Sequence, residues 1–169
     1  MITEPKLEDR AMQPYAAIRT QVTMQELGTV IDQRLGDVFA WLGSQGVSPA
    51  GAPFIRYLVI DMAAKLDIEL GVPVATALSG DSRVSAGALP AGRYATLIYS
   101  GPYDGLVGAN AALLDWGAKK GVVWDTWAAP GGDGFGARLE SYLTNPADEP
   151  DPAKWNTEVV IRLADNQPR

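Results

Sequence analysis

The sequence predicts an α+β domain of two tandem β-α-β-β modules with pseudo-two-fold symmetry, their antiparallel sheets forming a central ligand cleft. Three observations lead there. Two stretches carry helical periodicity, and a glycine closes each; seven short stretches read as strands; and the order of elements repeats, opening at Tyr15-Ala16 and again at Tyr94-Ala95. The pseudo-repeats cover about residues 15–76 and 84–163 of a single domain spanning 1–169. One half alone leaves a sheet face uncovered, so pairing the halves encloses a groove, the natural seat of a ligand.

The first helix is expected from about Met24 to Gln45. Leu27, Val30, Ile31, Leu35, Val38, Phe39 and Leu42 recur at helical spacing, Thr23 and Glu26 have the spacing of a capping box, and Gly46 suits a left-handed terminator. The second runs from about Tyr103 to Lys120, with Leu106, Ala109, Leu113 and Trp116 as its stripe and Gly121 as its stop. Gly105, Gly108 and Gly117 weaken that helix but let it lie close on a sheet. Strands are expected at Tyr15–Val22, Phe54–Ile60, Glu69–Thr76, Val84–Leu89, Arg93–Ser100, Arg138–Leu143 and Thr157–Leu163, with a turn at Leu89-Pro90-Ala91-Gly92. Ala128–Gly136 and Asn145–Ala153 read as loops. The glycine-rich Pro130–Gly134 run lacks the lysine and the following helix of a phosphate loop, and is expected as a flexible loop near the cleft mouth.

Composition removes several functions. The net charge is −6, and the 14 basic residues are scattered apart from Lys119-Lys120 at a helix end, so direct nucleic-acid binding is not expected. The N-terminus is polar, and no apolar run approaches the roughly 20 residues of a membrane span, which makes a cytoplasmic protein the default and gives no role to a membrane. With no Cys and no His there is no thiolate nucleophile, no imidazole base and no ordinary zinc site. No metal or other cofactor is implied. Any catalysis must use carboxylates, Tyr, Lys, Arg or backbone groups.

The strongest candidate is the segment Arg138-Leu139-Glu140-Ser141-Tyr142-Leu143. Alternation puts Leu139, Ser141 and Leu143 on one face, expected to pack under the helices, and Arg138, Glu140 and Tyr142 on the other, toward the groove. A buried carboxylate needs a partner. Two partners fit: Arg138, two residues away on the same face, or a cationic or hydrogen-bond-donating ligand. Among the aromatics, Tyr57, Tyr99 and Trp127 are cage candidates because strands and adjoining loops line the groove. Tyr103 lies beside it, and Phe39 and Trp116 fall on apolar stripes, where a residue is more often core than cage.

Leu89-Pro90-Ala91-Gly92-Arg93-Tyr94-Ala95, Ser100-Gly101-Pro102-Tyr103 ahead of a helix containing Trp116, and Glu140-Ser141-Tyr142-Leu143-Thr144-Asn145-Pro146 together resemble the gyrase-inhibitory-protein-like family, also called the AraC-type effector-binding domain. Phe54-Ile55-Arg56-Tyr57, Gly71-Val72-Pro73-Val74 and Thr157-Glu158-Val159-Val160-Ile161 fit the same pattern, so the resemblance covers about Tyr15 to Leu163. It implies two β-α-β-β modules and a cleft for amphipathic, often cationic aromatic molecules around a central Glu, here Glu140, with Tyr57 and Tyr142 as the tyrosines ending each inner strand. Val160 stands where members often carry an aromatic and Arg162 where they carry Pro, which implies a weaker aromatic cage. With little sequence ahead of the domain, a stand-alone binding domain is expected.

Three functions compete. The first is a cytoplasmic binder or sequesterer of hydrophobic, cationic small molecules, involving Glu140 and the aromatic set. The second is a hydrolase of strained electrophilic rings, with Glu140 as the catalytic residue and Tyr142 or Tyr99 assisting. The third, by analogy with gyrase-inhibiting members, is a protein-interaction module whose partner the residues do not identify.

Overall fold

The computed structural model describes residues 1–61 and 64–166. The described residues form β1 (Lys6–Arg10), β2 (Gln13–Val22), α1 (Leu27–Ser44), β3 (Phe54–Ile60), β4 (Leu66–Pro73), β5 (Ser85–Leu89), β6 (Gly92–Ser100), α2 (Leu106–Lys119), β7 (Thr126–Ala129), β8 (Gly132–Phe135), β9 (Arg138–Tyr142) and β10 (Asn156–Arg162). A single 3-10 turn, Tyr103–Gly105, leads into α2. The fold is α+β, as the sequence predicts. Its antiparallel strands run in the order β1-β6-β10-β9-β3-β4-β2-β5, with the β7–β8 hairpin joined to β3. The strands expected to form two facing sheets are one continuous sheet, curled into a half-barrel, because β9 pairs directly with β3.

Helix α1 starts as its capping box dictates. The Thr23 amide donates to Glu26 Oε1 at 3.1 Å and the Glu26 amide donates to Thr23 Oγ1 at 3.3 Å, so Met24–Glu26 are spent on the turn and the helix proper begins at Leu27. Gly46, at φ +68°, ends it in the left-handed region where a side chain is strained. Val38, Trp41 and Leu42 pack on Ala16 of β2, Val72 of β4 and Val74 just beyond it. In α2, Leu106, Ala109 and Leu113 pack on Ala95 and Leu97 of β6 and on Val159 and Ile161 of β10. Each such leucine contributes about 1.5–3 kcal/mol by leaving water. Gly117 makes close approach possible there, since a Cβ would run into the Trp124 ring.

Several elements depart from expectation. Strand β4 starts at Leu66 rather than Glu69; its Asp67 and Glu69 resemble loop residues, but Asp67 is paired with Arg19 and Glu69 accepts from the Tyr15 hydroxyl, which lets them sit in a strand. The polar Lys6–Arg10 segment is an edge strand on β6, where charged side chains face water and blunt further pairing. The glycine-rich stretch expected as a loop is the β7–β8 hairpin. Gly134 leaves room there for the Trp127 ring, which a Cβ would meet at 2.6 Å.

The largest correction concerns faces. Leu139 does not pack under a helix: it is buried with Tyr15, Phe54, Tyr94 and Val160 on the helix-free side of the sheet. Both helices lie on the side of Glu140, which opposes Ile55 on β3 and Val159 on β10. Within β9, alternation separates Leu139 and Ser141 from Arg138, Glu140 and Tyr142, but Leu143, beyond the end of the strand, lines the cleft with the second set. Nor can alternation say which face a helix covers when both faces are buried.

Candidate functional site

Helix α1 packs on β2 and β4, and α2 on β6 and β10, which leaves the central pair β3 and β9 uncovered between them. The result is a cleft of about 1490 Å³, larger than the roughly 300–1,000 Å³ of a drug-sized site. Its floor is Tyr57, Arg138, Glu140 and Tyr142; Ile31, Leu35 and Phe39 of α1 form one wall, and Leu106, Val107 and Asn110 of α2 the other. Large apolar side chains stay in water at its mouth: Met24, Phe39, Tyr103, Val107 and Leu143 are all exposed and all line the cleft. Such clustering of exposed apolar surface marks a binding site rather than ordinary surface.

Glu140 is 6% exposed. The Tyr57 hydroxyl donates to its Oε1 at 3.1 Å, and Asn110 Nδ2 donates to its Oε2 at 2.8 Å. The same Nδ2 donates to the Leu106 carbonyl at 2.9 Å, which fixes the amide against its own helix. Arg138 does not pair directly with Glu140; its Nη2 donates to Asn110 Oδ1 at 3.2 Å, and its guanidinium lies 4.8 Å from the centre of the Phe135 ring. Burial pushes the Glu140 carboxyl above its ordinary value, opposed by the hydrogen bonds from Asn110 and Tyr57 and by the charge of Arg138. Burial, reinforced by Glu140, also raises the Tyr57 and Tyr142 hydroxyls well above 10, so both stay neutral donors at neutral pH.

Of the residues singled out in the sequence, Glu140, Tyr142, Tyr57, Tyr103 and Phe39 meet around the cleft. Tyr103 packs edge-on to Tyr142 with ring centres 5.5 Å apart and lies 4.9 Å from Trp155 on its other flank. Tyr99, Trp116 and Trp127 are not among the cleft-lining residues. The Tyr99 hydroxyl donates to the Pro102 carbonyl at 2.8 Å and packs against Gly101 and Gly105, where any Cβ would collide with it, so it fixes the turn that presents Tyr103. Trp116 packs against the α2 core, and Trp127 sits half-exposed on the hairpin. Val160 is buried on the opposite side of the sheet, and Arg162 is locked to the Ala91 carbonyl, Asp125 and Asp165; neither position lines the cleft, so neither thins its aromatic wall.

Asn110 is the residue sequence reasoning missed. Its signal was a lone amide in the apolar run of α2, four residues from Leu106 and therefore on the same helix face.

Residues 3–164 match the family model of the GyrI-like small molecule binding domain. The chain belongs to that family. Among solved structures, the GyrI-like chain resembles the C-terminal domain of EcmrR (19% identity, TM-score 0.74, covering 95% of this chain and 97% of that one). It also resembles EcmrR in its DNA complex (19%, TM-score 0.76, 95%), but there it spans only 57% of the longer chain. SAV2435 bound to tetraphenylphosphonium is similar at 11% identity and TM-score 0.67, over 96% and 94% of the two chains. A Listeria innocua hydrolase is similar at 14% and TM-score 0.65, over 95% and 92%. At these identities the likeness is one of fold. Comparison with curated protein sequences gives no match. No helix among the described residues is long and apolar enough to cross a membrane.

Proposed function

We propose that this GyrI-like domain is a cytoplasmic binder of hydrophobic, cationic aromatic small molecules, held in the cleft with Glu140 as the acidic contact. The observation that carries the reading is a buried carboxylate on the floor of an apolar-walled cleft whose lining it shares with Tyr57, Tyr103 and Tyr142. Aromatic faces attract cations at about 0.5–2 kcal/mol each, more where water is excluded. The desolvated carboxylate adds a charge interaction stronger than it would be in water. Support by analogy comes from SAV2435, which is described bound to the lipophilic cation tetraphenylphosphonium. Titration of wild type and Glu140→Gln with tetraphenylphosphonium and a cationic rhodamine ester tests the reading. We expect the variant to bind at least about tenfold more weakly; equal affinity removes Glu140 from recognition.

A second reading is hydrolysis of strained electrophilic rings, with Glu140 as the base for water. Its support is the Glu140 carboxyl raised by burial and in contact with the Tyr57 hydroxyl, a poise suited to proton transfer. Turnover of a cyclopropane-bearing electrophile by wild type and not by Glu140→Gln would favour it. Tight reversible binding without turnover favours the first reading.

A further inference from the structure

We propose that Arg138 is a second recognition residue, so that the cleft selects molecules joining an aromatic cation to a carboxylate or similar acceptor. This rests on the binding reading above and narrows its ligand class. Arg138 and Glu140 share one face of β9 two residues apart, with their backbones about 7 Å apart along the strand, and the Asn110 amide contacts both side chains on the floor of the cleft. That floor is a fixed plus–minus pair rather than a lone negative charge.

Arg138 has donors to spare. A guanidinium carries five N–H donors, and among the described residues Arg138 makes one hydrogen bond, from Nη2 to Asn110. Arg56, on the other side of the sheet, shows the contrast. Both arginines leave Nε buried without an acceptor. Arg56 spends both terminal nitrogens on protein acceptors, the Tyr15 hydroxyl at 2.8 Å and the Gly136 carbonyl at 2.7 Å, and is not among the residues that line the cleft. Arg138 lines the cleft with its second terminal nitrogen uncommitted. Phe135 and Asn110 hold its plane in place, so little side-chain freedom is left to lose on meeting a ligand. Such a planar fork matches a carboxylate in two parallel bonds, each stronger than a neutral one.

A lone cation, by contrast, meets Glu140 with part of its charge already offset by Arg138. Binding of a rhodamine free acid, zwitterionic at neutral pH, and of its cationic methyl ester to the whole chain separates the two cases. Wild type is expected to bind the acid at least about tenfold more tightly than the ester. In Arg138→Met, which keeps the stem over Phe135 and removes every donor, the order inverts: the acid loses affinity and the ester gains it. An arginine that only supported Asn110 would, when replaced, weaken both dyes alike and leave their ratio unchanged; that result overturns the proposal. Equal binding of the two dyes to wild type, or preference for the ester, overturns it as well while leaving the cleft reading intact. Binding of neither dye to wild type removes both. Should the Met variant fail to fold, Arg138→Gln carries the same comparison, and the wild-type ratio needs no variant.

Discussion

Two polar clusters stand back to back on the β3–β9 seam, made of the same kinds of side chain and finished differently. Behind the sheet, Tyr15 donates to Glu69 Oε1 at 2.5 Å, Arg56 donates to the Tyr15 hydroxyl and to the Gly136 carbonyl, and Arg56 stands 3.9 Å from Glu69. In front, Tyr57, Asn110 and Arg138 surround Glu140 and open on a large cleft. Strand β3 serves both clusters through neighbouring positions, with Arg56 behind and Tyr57 in front. The closed cluster joins β2, β3 and β4 to the start of β9 and leaves nothing for a ligand. The open cluster is tied down only far enough to hold Glu140 and Arg138 in place. A buried polar network whose terminal donors all have acceptors therefore reads as architecture, and one with capacity left over reads as a site.

The difference can be broken from the closed side first, where the largest stability effect is expected. Arg56→Met leaves Glu69 without its cation and the Gly136 carbonyl without its donor in a largely buried setting. A loss of about 3 kcal/mol in urea unfolding is expected, with rhodamine affinity of the folded protein unchanged. Glu140→Gln should do the reverse, costing little stability or none, because it removes a buried charge, while weakening cation binding. If Arg56→Met costs under about 1 kcal/mol, or if it weakens dye binding as much as Glu140→Gln, the two clusters are not separate in kind.

How far the sequence reaches follows from the same geometry. Period-two alternation correctly puts Arg138, Glu140 and Tyr142 together, and Tyr57 joins them because β3 pairs with β9. It assigns the helices to the wrong face because Leu139 and Ser141 sit on a side with its own apolar core, so apolarity alone does not distinguish the two. Asn110 escapes because its importance depends on α2 lying close enough beside β9 for its amide to reach Glu140, which no local pattern encodes. The aromatics divide for a related reason. Phe39, on a stripe that suited core packing, lies at the cleft mouth. Tyr99 and Trp127, better placed by local reasoning, are held by glycines elsewhere in the chain, Gly101 and Gly105 for one and Gly134 for the other. Those small-residue vacancies become visible only when the partners are seen together.

The pH dependence sharpens the open cluster. Burial raises Glu140 in the folded state, so its contribution to stability is fully present below the ordinary carboxylate value of 4.5 and is lost as pH rises through the higher folded value. Cation binding runs the opposite way over that window, because the ionised form is the one that attracts the ligand. Affinity for tetraphenylphosphonium in wild type should rise with pH through a midpoint above 4.5 and then level off. In Glu140→Gln the same titration should lose that step. A wild-type step at or below 4.5 would mean that the carboxylate is not desolvated in solution.

Tyr57→Phe gives the smallest effect and the most specific one. The phenol donates to Glu140 Oε1 and stabilises its charged form, so removing the hydroxyl raises the carboxyl further. The ring stays, so apolar contact with the ligand is kept. A hydrogen bond to a charged group contributes about 1.5–3 kcal/mol, which sets the upper size expected for the upward shift of the binding midpoint in the same pH titration. Well above the new midpoint, where Glu140 is ionised in both proteins, the affinities should converge. Tyr15→Phe makes the equivalent deletion in the closed cluster and should leave the binding curve in place while lowering stability. If Tyr57→Phe instead weakens binding equally at every pH, the hydroxyl contacts the ligand itself rather than tuning Glu140.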